Sequence, residues 1–162
     1  MTDQQLAEQV LHACRAKGWM VATAESCTGG LIAGMLTAVA GSSDVVDRGF
    51  ITYSNQAKAE MLGVSADLLT THGAVSELVA RAMAEGALAR SAAHLALSVT
   101  GIAGPGGGTA EKPVGLVHMA CARRDGDTHH KALHFHGNRD RVRAATVTEA
   151  LTTILRLATD QS

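Results

Sequence analysis

Three polar segments of this chain carry side chains able to do chemistry: Glu25-Ser26-Cys27-Thr28-Gly29-Gly30, Tyr53-Ser54-Asn55 with Lys58 shortly after, and Thr100 through Gly108. The first joins an apolar run to a helical pattern through two glycines. Free backbone N–H groups at such a helix start favour an anion, either a ligand phosphate or a developing oxyanion. Ser26 stands where a nucleophile could use those donors, and an equally good local reading has Ser26 and Thr28 capping the helix. No Gly-x-Ser-x-Gly elbow is present, which argues against the common α/β-hydrolase arrangement.

A serine nucleophile needs a base. Lys58 is the candidate, because Met61 and Leu62 follow it at i+3 and i+4 and place it on the apolar side of a short helix. A free lysine titrates near ~10.4 and a useful base near about 7–8, so burial would have to supply roughly 4 kcal/mol of bias. The alternative is a snorkelling lysine with a wet head. Tyr53, five residues earlier, could bond the nucleophile, orient a ring, or be an ordinary strand-end tyrosine. The Gly101-Ile102-Ala103-Gly104-Pro105 segment lacks Gly-x-Gly-x-x-Gly spacing and a Gly-Lys-Ser/Thr end, so ATP use has no support.

Other residues compete for a role. Cys27 could be a thiolate at a helix start, or small core filler. His130, His134 and His136 share one face of a strand and Leu133 and Phe135 the other, so the histidines are expected to face solvent. Three ligands stepping along one strand would not converge on a zinc ion, and no metal is expected. Arg139, Arg141 and Arg143 open the last helix, where a cation opposes the dipole, so at least one should have a partner. That partner is either a phosphate or carboxylate, or a surface ion pair.

The elements that must position these residues follow from periodicity. A helix is expected over 4–17, stopped by Gly18, then a strand over 19–24 and a helix over about 31–39. A strand over 46–53 precedes a helix capped by Asn55 and ending at Leu62. A longer helix runs from Ser76 to about 92, and a strand from His94 to Thr100. Strands over 114–123 and 128–136 flank Arg124-Asp125-Gly126-Asp127, a hairpin signal, and Asn138 caps a terminal helix to about 158. Helices alternating with strands, then a hairpin, argue for a three-layer α/β/α sandwich with a mixed sheet. In such a sheet ligands bind beyond the carboxyl ends of the strands, where all three polar segments fall.

Composition bounds the rest. The 162 residues suit one domain, spanning 1–162, that buries roughly 70% of its unfolded surface without disulfides. Aromatics make up only 2%, so a base-stacking platform is not expected. A net charge of −1 marks no polyanion binder, and direct nucleic-acid contact is not expected. Cys14, Cys27 and Cys121 form no CxxC pair, which fits a reducing compartment. The opening residues do not read as a signal peptide, and no apolar run approaches the roughly 20 residues of a membrane span. A cytoplasmic protein that contacts no membrane is expected.

The sequence resembles the CinA C-terminal domain family, the nicotinamide-nucleotide amidohydrolases. The matching stretches are Thr23 to Gly30, Gly41-Ser42-Ser43, Arg48 to Asn55 with Lys58, and His72-Gly73-Ala74-Val75-Ser76. They continue through Thr100 to Gly107, Lys112-Pro113-Val114-Gly115, and Gly137-Asn138-Arg139 with Arg143. The resemblance implies hydrolysis of nicotinamide mononucleotide to nicotinic acid mononucleotide and ammonia in pyridine-nucleotide salvage. It also implies a mixed, mostly parallel five-stranded sheet, and neither metal nor organic cofactor.

Carried over by position, Ser26 becomes the nucleophile and Lys58 its base, with Tyr53 and Thr100 as supporting polar groups and Arg139 as the site arginine. The substrate would lie against Glu25, Cys27, Thr28, Gly29, Gly30 and Asn55. Gly101, Ala103, Gly104 and Arg143 would complete its surroundings. Longer members carry a further N-terminal domain, whose activities are not expected of this segment. The family's competence-related name suggests an alternative, a non-catalytic nucleotide-binding module linked to DNA uptake or repair. A Cys27 thiol amidase is a third reading. Assembly as a homo-oligomer is left open.

Overall fold

In a computed structural model that describes residues 1–160, eleven regular elements form three layers. In chain order they are α1 (Asp3–Lys17), β1 (Val21–Glu25), α2 (Leu31–Thr37), β2 (Val46–Ile51), α3 (Asn55–Leu62), α4 (Ala66–His72), α5 (Glu77–Ala89), β3 (Leu95–Gly101), β4 (Leu116–Arg123), β5 (Thr128–His134) and α6 (Arg139–Thr159). The sheet order is β2-β1-β3-β4-β5. β1 pairs in parallel with β2 and β3, while β4 runs antiparallel to both β3 and β5. Only β4 is therefore reversed, which is the expected mixed, mostly parallel sheet of an α/β/α sandwich.

The period-two alternation of the strands divides the interior. Val21, Leu95, Leu97, Val99, Val117, Met119 and Cys121 face one way and pack with α1, α2 and α6. Ala22, Ala24, Ala96, Ala120 and Ala122 face the other way, beneath α3, α4 and α5. Branched and long side chains thus fill one layer, and alanines let α5 lie close to the other. A Cβ on Gly86 of α5 would stand 2.0 Å from the Leu62 carbonyl oxygen, so only glycine fits where α5 crosses the end of α3. Among the described residues no helix is long and apolar enough to cross a membrane.

Several local expectations change. α4 was not expected: its seven residues bury only Leu69, too little to leave a periodic signal. Ser54, not Asn55, caps α3, its hydroxyl accepting from the Ala57 N–H at 3.0 Å. Met61 turns outward while Lys58 and Leu62 turn inward. His130 does not face solvent. It stacks on His118, with 2.9 Å between His118 Nδ1 and His130 Nε2, and lies 3.7 Å from Glu77 on α5. The edge strand β5 is overlain by the first turns of α5, which sequence alternation alone does not reveal.

Chain order fixes where a site can form. β1 leads to β2 on one side by way of α2, and β2 returns to β3 on the other side by way of α3, α4 and α5. The connections diverge at β1, so a crevice opens at the carboxyl ends of β1 and β3. Glu25 ends β1, Ser26 follows it, and Thr100 and Gly101 end β3.

Candidate active site

Alternation continues past the end of β1. Thr23 and Glu25 point toward α2, so Ser26 emerges on the α3 side, with its N–H donated to the Val99 carbonyl at 3.1 Å. The Lys58 side chain arrives there from the first turn of α3 and is only 1% exposed. Its Nζ lies 3.1 Å from Ser26 Oγ and donates to the carbonyl oxygens of Thr52 and Tyr53, both at 3.0 Å. Among the described residues no carboxylate pairs with it. Burial pushes the Lys58 amine below the ordinary lysine value.

Ser26 and Lys58 open into a cavity of about 200 Å³. Cys27, Tyr53, Asn55, Ala74, Val75, Thr100, Gly101, Ala103 and Arg139 complete its lining. A second hollow of about 300 Å³ adjoins it, sharing Ala103 and Arg139 and adding Pro105, Val114, Gly137, Asn138 and Asp140.

The expected residues take distinct places around this cavity. Tyr53 bonds Lys58 through its backbone carbonyl, and its exposed ring carries the hydroxyl to Arg139 Nη2 at 3.3 Å rather than to Ser26. Arg139 also donates to the Gly104 carbonyl at 3.0 Å. Thr100 hands its hydroxyl proton to the Ala74 carbonyl at 2.9 Å, which fastens the cavity wall formed by Ala74 and Val75. Arg143 holds the turn after Ser26 from outside the cavity, through the Cys27 carbonyl at 3.1 Å and that of Thr28 at 3.3 Å. Two of the three arginines at the start of α6 thus have partners, and those partners are carbonyls and a phenol.

Glu25, Thr28, Gly29 and Gly30 lie beside the cavity, outside its lining. The free N–H groups expected at the start of α2 are not free. Glu25 Oε1 accepts from the Thr28 hydroxyl at 2.6 Å and from the N–H of Ile32 at 2.9 Å and of Gly30 at 3.2 Å. Its Oε2 accepts from the Ala33 N–H at 3.0 Å. Neither Ser26 nor Thr28 caps α2: Gly30 holds the cap position, with a φ of 106° and no side chain to offer.

Cys27 lines the cavity but is buried, and burial pushes its thiol up to about 11. That opposes a resting thiolate. Ala74 and Val75 were not singled out as site residues. Their only sequence signal is membership of the His72–Ser76 stretch, which carries no polar side chain into the cavity.

The family model of the CinA C-terminal domain matches residues 3–158. The chain is 51% identical over 157 residues to the nicotinamide-nucleotide amidohydrolase PncC of Escherichia coli (strain K12), covering 95% of each chain. It is also 51% identical over 160 residues to a CinA-like protein of Syntrophobacter fumaroxidans, covering 99% of this chain and 38% of that one. The chain thus spans about two fifths of the longer relative. Among solved structures, the competence/damage inducible protein CihA from Agrobacterium tumefaciens superposes with a TM-score of 0.94 at 55% identity, covering 97% of this chain and 96% of that one. The competence damage-inducible protein A from Klebsiella pneumoniae gives 0.94 at 40% identity, covering 99% and 100%. The chain belongs to the CinA C-terminal domain family.

Proposed function

We propose that this protein hydrolyses the carboxamide of nicotinamide mononucleotide to nicotinic acid mononucleotide and ammonia, with Ser26 as nucleophile and Lys58 as general base. The observation that carries the reading is the environment of the Lys58 amine. A neutral amine has two hydrogens and one lone pair. Two carbonyl oxygens at 3.0 Å accept the hydrogens, which turns the lone pair toward the Ser26 hydroxyl at 3.1 Å. Burial without a carboxylate partner favours that neutral form.

The reaction then runs in two halves. Ser26 Oγ bonds to the carboxamide carbon as its proton passes to Lys58 Nζ, and the carbonyl π electrons move to oxygen. The amides of Cys27 and Thr28 follow Ser26 directly and do not donate to Glu25, so they are the donors assigned to that oxyanion. Its collapse breaks the C–N bond, and the leaving nitrogen takes the proton from Lys58 and departs as ammonia. Water then adds to the acyl-serine, giving its proton to Lys58. The second collapse returns the proton to Ser26 Oγ and frees the carboxylic acid. No metal or organic cofactor enters any step, and the reaction belongs to pyridine-nucleotide salvage.

The names of relatives about as long as this chain support the substrate. A cytoplasmic setting accords with three free, buried cysteines. The test is to incubate the protein with nicotinamide mononucleotide and follow ammonia, with Ser26→Ala and Lys58→Ala alongside. The proposal expects release by the native protein alone. Binding of the mononucleotide without release would replace the enzyme with a binding module.

A further inference from the structure

We infer that Glu25 is a positioning residue for the Ser26 turn, a buried carboxylate that holds the backbone on both sides of the serine. The inference rests on the proposed role of Ser26.

Three observations carry it. Glu25 is an acidic side chain only 1% exposed, and among the described residues no ion pair involves it. In place of a cation it has donors. Oε1 takes the Thr28 hydroxyl and the Gly30 and Ile32 N–H groups, and Oε2 takes the Ala33 N–H and, at 3.3 Å, the Thr23 hydroxyl. A carboxylate buried among N–H and O–H donors at a helix start is stable where an unpaired one is not.

Second, those donors lie on both sides of the reactive turn. Thr23 precedes Ser26 in β1, whereas Thr28 to Ala33 follow it. The carboxylate therefore closes a ring around Ser26-Cys27-Thr28-Gly29. The Glu25 carbonyl also accepts the Thr52 N–H at 2.9 Å, which ties the turn to the segment whose carbonyls hold Lys58. One residue thus fixes the chain on both sides of the 3.1 Å contact between Ser26 and Lys58.

Third, the carboxylate changes what the site can bind. With Gly30, Ile32 and Ala33 already donating to Glu25, the start of α2 offers a second anion no vacant amide among those three. It also presents a negative charge. That leaves Arg139, the guanidinium of the cavity lining, bonded to a carbonyl and a phenol, as the cation that can face the ligand's phosphate.

The variant that tests this is Glu25→Gln, which keeps shape and volume but turns an NH₂ group toward donors. Three readouts on the full chain are needed: the melt, steady-state kcat and KM for nicotinamide mononucleotide, and the rate at which a fluorophosphonate labels Ser26. The inference expects a folded variant whose labelling rate and kcat both fall at least tenfold while KM stays within threefold. A folded Glu25→Gln protein that labels and turns over at native rates would overturn it, leaving Glu25 a purely structural group. Should Glu25→Gln fail to fold, Thr28→Val decides, since it removes one donor and keeps the charge. A smaller fall of the same kind supports the inference, and native labelling by Thr28→Val would overturn it. A native protein that releases no ammonia, yet labels at a rate set by Glu25, would remove the substrate reading and uphold the positioning role.

Discussion

Ser26 has a buried ionisable group on each side, and the two are solvated differently. Toward α2, Glu25 meets more donors than any other carboxylate among the described residues. Toward α3, Lys58 meets two carbonyls and one hydroxyl, and no charged group among the described residues. Both are 1% exposed. The carboxylate has nowhere left to react and holds the backbone. The amine keeps one site directed at a hydroxyl proton and gains by losing its charge. Equal burial thus yields a donor-saturated scaffold on one face of β1 and, on the proposed mechanism, a base on the other, and the partners decide which.

Breaking the α3 side should have the largest effect. Lys58→Met is expected to lower kcat/KM at least about 10³-fold, as removal of a base acting with its nucleophile does. It should nevertheless fold. Relief of the amine's burial is offset by two carbonyls losing their donor, so stability should move by no more than about 2 kcal/mol, read from a thermal melt.

The pH dependence sharpens the same point. The base acts unprotonated, so kcat/KM should rise with pH and level off at a midpoint below the ordinary lysine value of ~10.4. Stability follows with its own sign. Between the depressed value and the ordinary one the unfolded chain holds more protons than the native protein, so unfolding free energy increases with pH across that window. Denaturant titrations at several pH values check the slope.

Farther from the dyad the effects shrink. Arg139→Ala removes the cation that Tyr53 and Gly104 position at the cavity mouth, and it should raise KM about tenfold with kcat changed less. Cys27→Ala should leave kcat within about threefold of native. The thiol, pushed up to about 11 by burial, fills space and supplies no thiolate.

Much of this comparison was legible in the sequence, and one half was not. The β1–turn–α2 passage, the Gly18 stop, the Asp125-Gly126 hairpin and the inward face of Lys58 all follow from local spacing. Lys58 could be placed because Leu62, one turn later, marks the buried side of α3. Met61 was a poorer guide, since its flexible side chain tolerates exposure. The family resemblance sets Glu25 against the substrate, whereas the structure places it outside the cavity lining. Four of its five partners lie three to eight residues downstream, and the tight turn at Gly29 and Gly30 brings them back. The signal that could have found it is the glycine at the cap position, which cannot satisfy the first N–H groups of α2 and so requires another acceptor. His130 and α4 were missed for a related reason: β5 lies under α5, and α4 buries one leucine, and neither fact leaves a local pattern.

The central claim is that the amine beside Ser26 is uncharged when the protein acts. The most direct measurement is a ¹⁵N NMR titration of the Lys58 side chain in the free protein, assigned with Lys58→Met. The account predicts a midpoint well below the ordinary lysine value, coincident with the rise in kcat/KM. An ammonium that persists to that value or beyond, in protein that still releases ammonia, would contradict it.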